Sequence, residues 1–339
     1  MRLAVVCWIL AGCCGVGVAT RTRAAAPASE IVVAIRYLQA QGTSHSHLYL
    51  YREDGKLLRQ LTNDNSGQER DPIFAPDGET IAFTREVGGA DQFWSIEPRG
   101  GNLRRLPAAP DWYQAARSSP YFTNNPESEP AAEASPSPSS QKQAAAGDDD
   151  DSPPRYTAPD GSVELILEVS KEEEDYNGPG HGKNYRLRDL KTKRDVTLGK
   201  LPGFEGLAEL LRLSTDGKQR FLLEPPLRVA FFDLHLDSTA GDTAFALDLK
   251  DRRIVRLSEN WAAPIPLPGE PAFLTLTYHR YVPIPGSQKT ANCKYMERWN
   301  AAWKKVRYAR EGTAAICYGA SIYRPGKTPA VITLRDSGD

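Results

Sequence analysis

One stretch of this chain recurs at a fixed spacing. Leu48–Leu61 reads LYLYREDGKLLRQL and Phe93–Leu106 reads FWSIEPRGGNLRRL, and the two begin 45 residues apart. At that offset Gly55 falls on Gly100, Leu58 on Leu103, Arg59 on Arg104 and Leu61 on Leu106. Each copy reads as a strand, a glycine turn and a second short strand, which is a hairpin. A single hairpin cannot bury its own apolar face. A period in the forties built from hairpins therefore requires β-units stacked on one another. The 27 glycines and 26 prolines supply turns at the density that many short strands need.

A turn motif has a related spacing. Ala75-Pro76-Asp77-Gly78 returns as Ala158-Pro159-Asp160-Gly161 and, more weakly, as Ser214-Thr215-Asp216-Gly217. Proline pre-sets φ, the Asp side chain caps the turn, and glycine takes the positive φ, so these residues read as structural turns. An apolar strand follows each: Thr80–Thr84, Val163–Val169 and Arg220–Leu223. The repeating unit is four strands. Strand a precedes the turn, b follows it, a variable loop leads to c, and a short turn leads to d. Four antiparallel strands per repeat is the blade of a β-propeller. The fold expected is therefore all-β, with units at about 31–62, 72–106, 155–198, 207–257, 262–310 and 313–334. Six blades are expected, with five as the alternative. The first unit opens on a strand b, Ile31–Tyr37, and Ala330–Leu334 is expected to supply its missing strand a, because an unpaired edge is sticky. Tyr295, Trp299, Trp303 and Val306 recur at helical spacing and predict a helix in the fifth unit.

These residues resemble a known repeat. Arg59-Gln60-Leu61-Thr62, Asp71-Pro72-Ile73-Phe74-Ala75-Pro76-Asp77-Gly78, Ile81-Ala82-Phe83, Gly100-Gly101 and Arg105-Leu106 are similar to the TolB-type (WD40-like) β-propeller repeat. The resemblance spans Ile31–Leu106 most closely and extends to Leu257. It implies a six-bladed propeller, commonly exported, that binds proteins or ligands. The same repeat forms the propeller of prolyl-oligopeptidase-like enzymes. A separate N-terminal α/β domain such as TolB itself carries is not expected ahead of the repeats.

The flanks and the insertion divide the chain further. Residues 1–19 read as a secretory signal, with Gly17-Val18-Ala19 as cleavage site. Leu10-Ala11-Gly12-Cys13 also resembles a lipobox, which would end the signal at residue 12 and make Cys13 a lipidation site. Either reading exports the chain to the periplasm or beyond, with contact to the membrane only through a lipid anchor. Residues 20–30 are a short linker, 31–117 hold the first two blades, 155–334 hold the others, and 335–339 form a tail. Between them, 118–154 is rich in Pro, Ser and Asp, ending in the run Asp148–Asp151; it lacks the apolar residues to offset its ordering entropy and is expected to be disordered. Export permits a Cys293–Cys317 disulfide, and two buried thiols is the other reading.

Chemistry is sparse. There is no G-x-S-x-G, so the serine-peptidase half of a prolyl oligopeptidase is lacking. Gly178–Lys183 has the wrong spacing for a phosphate loop and reads as a loop tip. A net charge of −1 implies no nucleic-acid partner. The five histidines, His45, His47, His181, His235 and His279, all fall in or beside loops joining strands b and c. Antiparallel strands put those loops, with the d–a connections, on one face, where binding concentrates. They are the candidate ligand-binding residues. No spacing among them is that of a metal site, so no metal or cofactor is expected. The alternative is a metal-dependent lyase or hydrolase of acidic glycans that uses these imidazoles. Lys294, Arg298, Lys304, Lys305, Arg307 and Arg310 interleave with Tyr295, Trp299 and Trp303. They read either as a docking patch or as an amphipathic helix with its tryptophans packed inward. The function expected is that of a non-catalytic envelope module binding a protein or glycan.

Overall fold

Residues 29–118, 155–157, 161–167, 185–197, 202, 211–213, 220–222, 229–236, 241–258 and 265–334 are described by the computed structural model. The signal segment with Cys13, residues 119–154, Pro159, Asp160, Asp216, Gly217 and His181 lie outside them. The described residues form strands with one α-helix. The first antiparallel meander is β1 (Glu30–Tyr37), β2 (Ser46–Arg52) and β3 (Leu57–Gln60). The second is β4 (Gln68–Phe74), β5 (Ile81–Val87), β6 (Ala90–Ile96) and β7 (Arg104–Arg105), followed by α1 (Asp111–Arg117). The third is β8 (Arg155–Thr157), β9 (Val163–Leu167), β10 (Tyr185–Asp189) and β11 (Arg194–Thr197). The fourth holds β12 (Leu211–Leu213), β13 (Arg220–Leu222), β14 (Val229–Leu236), β15 (Gly241–Asp248) and β16 (Arg253–Ser258). The fifth is β17 (Ile265–Pro266), β18 (Ala272–Pro283), β19 (Thr290–Asn300) and β20 (Lys305–Arg307), after which come β21 (Ala315–Tyr323) and β22 (Val331–Leu334).

The 45-residue repeat is reproduced bond for bond. Tyr49 pairs with Gln60 as Trp94 pairs with Arg105, and Leu50 with Arg59 as Ser95 with Arg104. The Leu61 amide donates to the Leu48 carbonyl and the Leu106 amide to that of Phe93, both at 2.8 Å. Gly55 and Gly100 close the two turns at φ 88° and 84°, each donating to the carbonyl three residues back. The Pro-Asp-Gly turn at 76–78 has its own hydrogen bonds. The Glu79 amide donates to Asp77 Oδ1 at 2.9 Å, and Gly78 sits at φ 77° with its amide bonded to the Ala75 carbonyl. A Cβ on Gly78 would overlap the Tyr323 ring, whose hydroxyl donates to the Asp77 carbonyl at 3.0 Å.

Neighbouring meanders bury each other's faces. Val32, Ala34, Leu48 and Leu50 of the first meet Phe74, Phe83 and Ile96 of the second. From the opposite face, Ile31, Val33, Ile35 and Tyr51 meet Leu274 and Met296 of the fifth. Both faces of β1 are therefore buried, and the run Ile31–Ile35 is apolar throughout instead of alternating. Fully burying a Val or Ile stabilises by about 1.5–3 kcal/mol, so this strand anchors the region. Phe273 and Trp299 of the fifth pack on Val229, Ala246 and Leu257 of the fourth. The Ile254 amide of the fourth donates to the Pro202 carbonyl, and Arg252 pairs with Asp189 of the third at 3.3 Å. The order of contact is second, first, fifth, fourth, third.

The structure corrects four expectations. The strand beside β1 is β21, not Ala330–Leu334; Glu30 pairs with Tyr323 and Arg36 with Ile316, and β22 lies beyond β21. The nine-residue β21 can match the full length of β1, whereas the four residues of β22 cannot. No helix forms at Tyr295–Val306. These residues lie in the β19–β20 hairpin, where Cys293, Tyr295, Glu297 and Trp299 are buried on alternate positions. A spacing of four belongs to a strand as well as to a helix, and the intervening residues decide between them. In the fourth meander the strand after Arg220–Leu222 is β14, inside the segment expected to be a loop, so β12 and β13 both flank β14 as a split edge. Finally, Cys293 and Cys317 are buried and unbridged. β19 and β21 meet in parallel at Lys294 and Ile316, a register that sets the two cysteines two positions out of step.

Candidate functional site

A cleft of about 370 Å³ opens where three connections meet: 38–45 between β1 and β2, 61–67 between β3 and β4, and 308–314 between β20 and β21. These are one b–c loop and two d–a connections. The β1 side contributes Tyr37, Gln39 and Thr43. The β2 side contributes His45, His47 and Tyr49. Gln60, Asn63 and Asn65 line it from the β3–β4 connection, and Arg310 closes it from the other side. Among the described residues no carboxylate lines it.

Strand pleat explains the local order. His47, Tyr49 and Tyr51 project from one face of β2, and Leu48 and Leu50 from the other, into the core shared with the second meander. Tyr49 and Tyr51 run down into the core shared with the fifth meander, so the cleft is the open end of that seam. Tyr37 meets Tyr49 edge to face at 5.3 Å, and its hydroxyl lies 3.2 Å from that of Tyr51. Burial, with the neighbouring Tyr37 phenol, pushes the Tyr49 hydroxyl up to about 12 and keeps it protonated. The Arg310 guanidinium lies over both rings, 4.9 Å from Tyr37 and 5.7 Å from Tyr49. Its backbone is pinned, the amide donating to the Tyr37 hydroxyl at 3.0 Å and the carbonyl accepting from the Thr313 hydroxyl at 2.6 Å. Among the described residues no carboxylate pairs with its side chain.

The two histidines differ. His45 Nδ1 is 3.3 Å from the Gly67 carbonyl and 3.3 Å from Gln68 Nε2, which ties the b–c loop to β4. His47 is half-buried, and its pKa lies below the ordinary histidine value. Desolvation is the main cause and nearby His45 the next, opposed by a hydrogen bond with Asn65. Its buried Nδ1 has no hydrogen-bond partner among the described residues.

Beneath the loop carrying Asn63 and Asn65 lies a buried ionic knot. Glu69 and Arg85 are both almost wholly enclosed and pair at 2.5 Å. The Thr62 hydroxyl donates to the other Glu69 oxygen while accepting from the Leu48 amide. Arg85 also reaches Asp64 at 3.0 Å and lies 4.5 Å from the centre of the Trp94 ring. Ser46 completes the knot, donating to the Glu69 carbonyl at 2.8 Å. Burial pushes the Glu69 carboxyl up, and Thr62 and Arg85 pull it back.

Of the sequence candidates, the structure brings His45 and His47 together. His279 lies on β18 opposite Cys293. Pairing then runs from Lys294 to Ile316, Ile316 to Arg36 and Arg36 to Ser46, so His279 sits at the same end of the joined strands as His45. Its ring is engaged, with Nε2 at 3.1 Å from Arg307 Nη2 and an edge contact to Tyr295. His235 is on β14, near its junction with β15 and opposite Asp242, not in a loop. Among the described residues no three His, Cys, Asp or Glu side chains lie close enough to share a metal ion.

Three of the six cations in the basic run near the end of the chain pair with carboxylates. Arg298 pairs with Glu53 and Glu270, and Lys305 and Arg307 pair with the buried Glu297. Trp299 stacks on Phe273, and Trp303 Nε1 donates to Asp248 at 2.7 Å. Arg310 is the cation of that run that lines the cleft. The asparagines, Tyr37 and Tyr49 were not among the residues the sequence pointed to, since nothing near Asn63 or Arg310 in the sequence signals that they meet.

No protein-family model matches the chain, and no curated protein matches it. Solved structures that align with it include β-propeller proteins. A structure described as TolB from Agrobacterium tumefaciens is 11% identical, with 86% of this chain and 96% of that one covered and a TM-score of 0.21. The propeller domain of the Trilobed protease from Pyrococcus furiosus is 9% identical, covering 76% and 64% with a TM-score of 0.26. An oligogalacturonate lyase in complex with manganese is 11% identical, covering 89% and 69% with a TM-score of 0.24. Scores at this level carry no argument about this chain's activity.

Proposed function

We propose that this chain is an exported, TolB-like propeller module that binds a ligand of the cell envelope without transforming it, through the cleft at His47 and Arg310. One observation supports the reading above the others: a polar cleft holds a guanidinium that no carboxylate among the described residues neutralises, at the rim where the connections collect. Rigid meanders hold the walls, and loops supply the contacts, which is the usual division of labour in a binding site. A volume of about 370 Å³ is within the range of small-ligand sites. Five meanders in successive contact support a radial arrangement of blades. The six-blade count, a Cys13 anchor against cleavage after Ala19, and envelope residence belong to this proposal too.

The test is capture. The mature chain and its Asn65→Leu variant are immobilised and exposed to envelope extract, and retained small molecules and glycans are identified by mass spectrometry. The reading expects a species retained by the wild type, lost with Asn65→Leu and recovered chemically unchanged. Equal retention by both forms removes the cleft from the account. Conversion of the retained species during incubation removes the word non-catalytic. The mass of the mature N-terminus separates a lipidated Cys13 from cleavage after Ala19.

A further inference from the structure

We infer that the ligand of this cleft is a small polyhydroxylated anion, a carboxylate or phosphate ester, whose charge is taken by Arg310. The inference rests on the cleft being a binding site and adds what it binds.

Three features of the lining combine to give the class. First, charge. Arg310 is the one permanently charged group of the lining, and nothing among the described residues neutralises it. Its neighbours in the same run, Arg298, Lys305 and Arg307, each have a carboxylate. Glu69, the buried carboxylate of the neighbouring knot, is occupied by Arg85 and Thr62. Second, posture. The guanidinium plane is held over two tyrosine rings and the backbone of Arg310 is tied at both amide and carbonyl. A guanidinium that is already placed loses little entropy on engaging an anion, and its planar fork suits two-point contact with a carboxylate or phosphate. Third, polarity. The other walls carry four amide side chains and two imidazoles, whereas most small-molecule sites are predominantly apolar. Amides both donate and accept, the complement of a hydroxyl-rich molecule. His47 adds an imidazole that the fold holds toward its neutral form, and a neutral ring can both donate and accept.

Titration calorimetry on the full mature chain tests this with D-gluconate, glucose 6-phosphate and, as uncharged control, glucose. A hydrogen bond to a charged group contributes about 1.5–3 kcal/mol, so one or both acids are expected to bind at least about tenfold more tightly than glucose. Binding of one acid alone identifies carboxylate or phosphate as the recognised group. Arg310→Gln should reduce the acids to the level of glucose. Arg310→Lys keeps the charge and loses the fork, so it should weaken the acids several-fold and glucose little; it also serves if Arg310→Gln does not fold by circular dichroism. Equal binding of acids and glucose, or discrimination that survives Arg310→Gln, overturns the anion assignment. If Asn65→Leu still abolishes binding in that case, the cleft itself stands. Binding of none of the three overturns the ligand class, and capture from envelope extract then decides the cleft separately.

Discussion

Glu69 and Arg85 illustrate how a few residues can fix a loop that lies between two elements. The pair is buried between β2 and β5, where the cost of desolvating two ions is offset by their own contact, by the Thr62 hydroxyl on Glu69 and by Asp64 on Arg85. Glu69→Ala leaves Arg85 enclosed with only the exposed Asp64 to face, and is expected to cost about 3–5 kcal/mol in urea denaturation. Glu69→Gln keeps the contact to Thr62 and should cost less. His47 gives the molecule a pH dependence of definite sign. Its folded pKa is depressed, so the fold favours the neutral ring. The penalty is absent above the ordinary histidine range and grows as pH falls through that range toward the depressed folded value. Melting temperatures from pH 8 to pH 5 should therefore fall more steeply for the wild type than for His47→Gln. Parallel slopes for the two proteins would show that the fold does not discriminate against the charged ring.

The elements separate backbone effects from packing effects at Gly55 and Gly100. The two glycines hold equivalent places in the repeated hairpin, at φ 88° and 84°. A Cβ at Gly100 meets open space, whereas one at Gly55 would come within 2.6 Å of Val306 Cγ1 on β20. Gly100→Ala should therefore cost only the left-handed strain, about 1–2 kcal/mol. Gly55→Ala should cost more, by an overpacking term of about 1–3 kcal/mol. Denaturation midpoints at equal m-value measure the difference, and equal costs would mean that Val306 moves aside freely. This hairpin was legible in the sequence because its register is set by local hydrogen bonds that repeat with the residues. The β19 strand was not. Tyr295 and Trp299 fit both periods, and Glu297, buried between them, reads as a solvent-facing residue until Arg307 and Lys305 are seen to pair with it. The β14 strand was hidden for a related reason, since two short strands share its edge where the repeat leads one to expect a single one.

At the scale of the whole molecule, the cleft depends on contacts between segments far apart in the chain. His45 and His47 were readable as rim residues because both lie beside one b–c loop. Arg310 was readable only as part of a basic run, because its meeting with Tyr37 and Tyr49 depends on β21 lying against β1. That pairing joins Glu30 to Tyr323 and Arg36 to Ile316, and it covers an edge of a strand whose two faces are both buried. Local sequence carries no record of it, since one strand reaching β1 is as good in pattern as another. It also makes a sharp prediction about cooperativity. A chain ending at Glu311 keeps the cleft residues and every strand of the first meander, but leaves β1 with an open edge and strips Ala320 and Ile322 from its apolar face. An exposed apolar edge invites pairing with other chains. The shortened protein is expected to be insoluble, or to lose the protection of β1 amides in hydrogen exchange. A chain ending at Leu334, which keeps β21 and β22, should melt as the full-length protein does. If the Glu311 truncation remained monomeric, with β1 amides protected, the first meander would be holding itself together, and the seam under Arg310 would not need β21 at all.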